Sequence, residues 1–143
     1  MSRYESRRVT QQTGEFSESV MFINDVTDLE VYVESLRLMR VLYAFLKKVP
    51  SSEYDTVRQC KKCTKSIPAQ LAEGFAKRFY PAEFKRYLMI AIGSSDELVT
   101  HLKLISIAVP HLANEALKIG EEYRTLSKRM NRLHQTWGAK SAK

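Results

Sequence analysis

The stretch PAEFKRYLMIAIGSSDELVTHLKLISIAVP, residues 81–110, decides the fold. Phe84, Leu88, Ala91, Ser95, Leu98, Leu102 and Ile105 recur in it at alternating steps of four and three, which places them on one stripe of an α-helix. Pro81 suits the first helical position, where its missing N–H is not needed, and Pro110 ends the run. Gly93 breaks the bulk of the helix at mid-length, at a cost of roughly 1 kcal/mol relative to Ala. Close approach to another helix is the simplest reason for it.

The same rhythm extends in both directions. Upstream, Val57, Cys60, Thr64, Ile67, Leu71 and Phe75 form a stripe behind a cap at Ser51 or Ser52, and Pro68 inside the pattern predicts a kink. Gly74 and the Phe79-Tyr80-Pro81 stretch mark the exit of that helix. Further upstream, Thr27-Asp28-Leu29-Glu30 fits a capping box, and Leu29, Tyr32, Leu36, Met39, Tyr43 and Leu46 continue from it to about Val49, where Pro50 stops the helix. Downstream, Asn114 can cap a helix whose stripe is Ile119, Tyr123, Leu126, Met130, Leu133 and Trp137.

Four helices of about twenty residues, each roughly 30 Å long, joined by short loops and sharing a seven-residue period, predict an all-α, antiparallel up-down four-helix bundle with a kinked second helix. The expected organisation is a flexible, polar N-terminal tail over 1–24, the bundle over 25–137 and a basic C-terminal tail over 138–143. Val41, Phe45, Tyr87, Ile92 and Val99 lie off the stripes, and this second apolar band points to self-association.

Composition narrows the function. The 143 residues are 44% hydrophobic and 27% charged, as in a soluble single domain. No apolar run is long enough for a membrane span or a secretion signal, so a cytoplasmic location is expected. Cys60 and Cys63 are separated by two lysines inside a helical pattern with no second pair at zinc spacing, and are read as ordinary reduced thiols. A di-iron bundle needs Glu-x-x-His on two helices, whereas Glu97 and His101 are four apart and unmatched. His111 and His134 lack a carboxylate at that spacing, and no phosphate loop or nucleophile-base motif occurs. Neither a cofactor nor a metal nor catalytic activity is expected.

The charge is more informative. Against a net +7, the segment from Arg58 to Arg86 carries Arg58, Lys61, Lys62, Lys65, Lys77, Arg78, Lys85 and Arg86 with only Glu73 and Glu83 opposing them. Arg58, Lys61, Lys62 and Lys65 stand at i, i+3, i+4 and i+7, one helix face. Such a row suits the phosphates of a nucleic-acid strand and equally suits a solvated face. Phe79 and Tyr80, next to Lys77 and Arg78, are placed to stack bases, although packing at a helix junction is the plainer role.

The segment QCKKCTKSIPAQLAEG, residues 59–74, resembles the signature of the four-helix-bundle proteins encoded in intervening sequences of bacterial large-subunit ribosomal RNA genes. Glu83-Phe84-Lys85-Arg86-Tyr87-Leu88, Ile90-Ala91-Ile92-Gly93-Ser94 and Glu97-Leu98 are similar to its next block, and Asp28-Leu29-Glu30-Val31-Tyr32 to its opening, so the likeness covers about residues 28–105. Lys61-Lys62 stands where the family favours arginine, Cys63-Thr64 replaces two alanines and Gln70 replaces Asn. The resemblance implies a homopentamer without known catalytic activity. Related bundles serve diversity-generating retroelements as nucleic-acid-binding partners of a reverse transcriptase. Together, charge and resemblance predict RNA, ahead of DNA, as the partner, with a protein adaptor role as the alternative. Glu73 and Glu97 match family positions, and a buried carboxylate with a basic or hydroxyl partner is the expected reason for each.

Overall fold

The computed structural model describes residues 24–138; the expectations for the two tails otherwise lie outside it. Four α-helices, α1 (Glu30–Leu46), α2 (Tyr54–Phe75), α3 (Pro81–Ala108) and α4 (Ala113–Thr136), are joined by 3-10 turns and short loops, and no strand occurs among the described residues. Each helix packs on its neighbours in sequence and α4 closes back on α1, leaving α1/α3 and α2/α4 as diagonals. This is an up-down four-helix bundle.

The stripes of α2, α3 and α4 face the core. All seven stripe residues of α3 are buried, and so are Cys60, Thr64, Ile67, Leu71 and Phe75 of α2 and Ile119, Tyr123, Leu126 and Met130 of α4. Beyond α4, Trp137 is buried against Phe84, edge-on at 4.4 Å between ring centroids, and its indole N–H reaches the Arg78 carbonyl at 3.4 Å. That contact fastens the residue after α4 to the α2–α3 junction.

The inward face of α1 is only partly the one expected: of the expected stripe, Leu29 and Leu46 at its two ends are buried. Val31, Ser35, Leu38, Leu42 and Phe45 are buried, whereas Leu36, Met39 and Tyr43 are half-buried at its flank. Two adjacent apolar columns run along this helix, both at steps of three and four, so periodicity alone does not say which faces inward. The off-stripe band resolves the same way: Phe45, Ile92 and Val99 belong to the core and Val41 packs against it.

Three caps also differ. Asp25 and Asp28 form the box that caps the 3-10 turn before α1, Asp28 accepting the Asp25 N–H at 3.2 Å and Asp25 accepting from Thr27, and α1 then starts after Leu29 with no side-chain cap. Ser51 and Ser52 lie in a 3-10 turn before α2, and Asn114 lies inside α4; neither helix has a side-chain cap. Each helix instead grows out of a 3-10 turn that already supplies part of the bonding its first N–H groups need. Pro81 is at the start of α3 as expected, and α2 runs on through Pro68 to Phe75.

The glycines exchange roles. A methyl group on Gly74 would stand 2.7 Å from Tyr87 Cβ and 3.0 Å from the Phe84 ring, so the α2–α3 approach depends on it. One on Gly93 would meet nothing within 4 Å, and no helix among the described residues packs there. Surface ion pairs complete the closure of α1 on α4: Arg37–Glu122 at 2.7 Å, Lys48–Glu115 at 3.1 Å and Arg129–Glu30 at 3.3 Å. Exposed pairs of this kind contribute roughly 0–1 kcal/mol each.

Candidate nucleic-acid interface

Burial of Cys60, Thr64, Ile67 and Leu71 fixes the rotation of α2 and turns its opposite face to solvent. Arg58, Gln59, Lys61, Lys62, Lys65, Ser66 and Ala69 line one open basin of about 640 Å³ on that face. Arg58, Lys62 and Lys65 are exposed, Lys61 is half-buried, and none of the four forms an ion pair among the described residues. Lys61 leans toward α1, its Nζ 5.2 Å from the centre of the Tyr43 ring. Ser66 accepts a 2.8 Å hydrogen bond from Ser94, which stitches the basin floor to α3.

The other four cations are arranged differently. Lys77 pairs with Glu73 at 3.1 Å and lies over the Tyr87 ring, and Arg86 pairs with Glu83 at 3.2 Å over the same ring. The carboxylates hold both cations more firmly protonated than usual, Glu73 acting on Lys77 and Glu83 on Arg86. Arg78 donates to the Phe75 carbonyl at 3.1 Å and packs on the Phe75 and Phe79 rings. Lys85 is half-buried without an ion pair among the described residues. The eight therefore divide into a row on α2 with no ion pair among the described residues, in which Lys62 alone acts on a nearby carboxylate, that of Glu97, and a cluster at the α2–α3 junction whose charges are mostly engaged.

Packing at that junction is the plainer expectation for Phe79 and Tyr80, and the structure corrects it: they are 78% and 72% exposed. The tight turn between Gly74 and Pro81 leaves them no core to enter, so two aromatic faces stand in solvent beside Lys77 and Arg78. Glu73 and Glu97 are corrected as well, since neither is buried; Glu73 holds Lys77 and Glu97 holds His101 at 3.0 Å.

Both cysteines are buried and free. Loss of solvent pushes each thiol up to about 12; the neighbouring Cys63 adds to the shift at Cys60, and the Glu97 carboxylate adds to it at Cys63. Unlike a redox pair, these thiols carry little thiolate at neutral pH. What the sequence did not reveal is the company of Cys63, which lies with Glu97 and His101 so that one donor atom from each falls within 4.8 Å of the others. The Glu97/His101 spacing is legible; the approach of a cysteine from another helix is not.

A second surface stands out on α3. Met89, Ile90, Leu104 and Ile107 are exposed, the last at 75%, and with Gly93 they run along the side of α3 that faces away from the bundle. No helix among the described residues is long and apolar enough to cross a membrane.

The family model described as 23S rRNA-intervening sequence protein matches residues 27–132, which spans α1 to α3 and most of α4. No curated protein matches the chain, and no solved structure does.

Proposed function

The chain belongs to the 23S rRNA-intervening sequence protein family, and from that premise we propose that it is a non-catalytic, RNA-binding homo-oligomer of the cytoplasm, pentameric in its working form. The observation that carries this reading is the α2 basin, where Arg58, Lys61, Lys62 and Lys65 share one surface with no carboxylate paired to them among the described residues. Cations without an ion-pair partner at successive helix turns attract neighbouring phosphates of a strand and release its counterions. Lys77, Arg78, Lys85 and Arg86 extend the positive surface toward the junction, and Phe79 and Tyr80 offer rings for unpaired bases. The family's tie by name to ribosomal RNA favours RNA over DNA.

Self-association is supported by the outward stripe of α3, since a helix with apolar residues on two sides has more than one face to cover. Five copies repeat the basin and turn weak contacts into a strong one through effective concentration. The test is a titration of labelled ribosomal-RNA fragments with the full chain, with light scattering on the same sample. Saturable binding by an oligomer is expected; a chain that binds no RNA at low salt contradicts the reading.

The α3 stripe also supports a second reading, an adaptor that docks another protein, such as a retroelement reverse transcriptase. Light scattering that returns a monomer, with a protein partner retained after nuclease treatment, favours it.

A further inference from the structure

The Cys63, Glu97 and His101 cluster is outside the basic row, and the RNA-binding proposal makes no use of it. Glu97 and His101 are one turn apart on α3, so both side chains leave the helix on the same face. Cys63 comes from α2 and is buried, Glu97 has a side chain 55% exposed, and that of His101 is 16% exposed. The set therefore runs from a sealed thiol to a solvent-facing carboxylate, with an entry path along Glu97. One donor from each lies within 4.8 Å of the others, and the His101 Nε2 to Glu97 Oε2 distance is 3.0 Å. Two ligands bound to one zinc, each at about 2.0–2.3 Å, stand roughly 3–4 Å apart in a tetrahedron, so small side-chain rotations bring all three onto one ion.

A second observation concerns the imidazole. Its Nδ1 is buried with no hydrogen-bond partner among the described residues. With no partner fixing the tautomer from that side, the ring proton can sit on Nδ1 and leave Nε2, the nitrogen beside Glu97, free for a cation, so that Glu97 becomes a direct ligand.

From this geometry we infer that Cys63, Glu97 and His101 form a binding site for one borderline-soft divalent cation of the zinc class, clamping α2 to α3. One thiolate, one imidazole and one carboxylate match the donor types such ions take, with the remaining position left to water. Binding forms the metal–sulfur bond and releases the Cys63 proton to solvent. Thiolate and carboxylate then balance the charge of the ion. Lys62, which acts on both Glu97 and Cys63, opposes the cation and sets a limit on affinity.

Cobalt(II) is a suitable probe because its thiolate complexes absorb strongly in the near ultraviolet. The full chain, reduced and free of RNA, is titrated with cobalt and then with zinc as competitor. One equivalent per chain and a thiolate charge-transfer band are expected. Cys63→Ser removes the band; Glu97→Gln, at an exposed position that leaves the fold intact, weakens binding on the order of tenfold or more. His111→Ala combined with His134→Ala leaves both unchanged. Absence of the band, its survival in Cys63→Ser, or undiminished affinity in Glu97→Gln overturns the site. No RNA is present, so failure here is separate from failure of the RNA-binding reading.

Discussion

The Thr64 hydroxyl and the Tyr123 phenol share a 2.8 Å hydrogen bond in the buried interior, joining α2 to α4 across a diagonal of the bundle. Around it, Ser95 donates to the Tyr123 carbonyl at 3.0 Å and Ser127 donates to Ser95 at 2.8 Å, so the polar groups at the centre satisfy one another. Tyr123→Phe should cost about 1 kcal/mol, the usual net worth of such a bond plus any penalty for an orphaned hydroxyl. Thr64→Val should cost a similar amount. In a double-mutant cycle followed by urea unfolding, the double variant should lose less than the sum of the two; strict additivity would mean the bond is not formed.

Alkaline pH should unfold the protein progressively. Cys60 and Cys63 sit at about 12 in the folded chain against an ordinary 9.0, and burial raises Tyr123 as well. In each case the unfolded chain gives up its proton first. The stability these groups confer is thus complete below pH 9 and drains away above it, by up to about 1.4 kcal/mol per pH unit per group once the unfolded form is ionised. Thermal melts between pH 8 and 11 measure this, and a Cys60→Ala, Cys63→Ala chain should show a shallower decline.

Gly74→Ala should destabilise the bundle by about 1–3 kcal/mol, the range for forcing extra volume into a packed contact. The neighbour at 2.7 Å is Tyr87 Cβ, an atom attached to the α3 backbone that cannot swing aside. Chemical denaturation measures the loss, and the cost of Gly74→Ala should be smaller when it is measured in a Tyr87→Gly background.

Leu104→Glu with Ile107→Glu should lower the oligomeric state seen by light scattering without loss of helicity. Both residues are exposed in the single chain, so charging them disturbs nothing inside it, whereas a shared face would bury the charges.

The four-helix architecture was legible because the apolar stripes of α2 and α4 stand out from polar opposite faces, and on α3, although apolar residues lie on two sides, every stripe position from Phe84 to Ile105 is buried where the spacing puts it. On α1 the parallel columns of Leu36, Met39, Tyr43 and of Leu38, Leu42, Phe45 left the phase open, and only packing against α2 and α4 chose between them. Capping failed at Thr27, Ser51 and Asn114 because 3-10 turns, which carry little sequence signal, begin those helices. At the candidate site the row Arg58, Lys61, Lys62 and Lys65 was readable from spacing, since one helix carries all four. Whether a cation is already paired, as Lys77 is by Glu73, or an aromatic is exposed, as Phe79 is, depends on neighbours that helical spacing does not rank.

The central claim is that the α2 row meets phosphate, and the salt dependence of RNA binding tests it most directly. Arg58→Ala, Lys62→Ala and Lys65→Ala together remove three exposed charges; Lys118→Ala, Lys128→Ala and Arg132→Ala remove three exposed charges from α4, on the diagonal opposite. For the unmodified chain, the logarithm of affinity should fall linearly with the logarithm of salt concentration, and the α2 variant should flatten that slope by about 0.7–0.9 for each phosphate it no longer neutralises. The α4 variant should leave the slope as it was. An α2 variant that keeps the parent's slope and affinity, or an α4 variant whose slope flattens as much, would contradict the account.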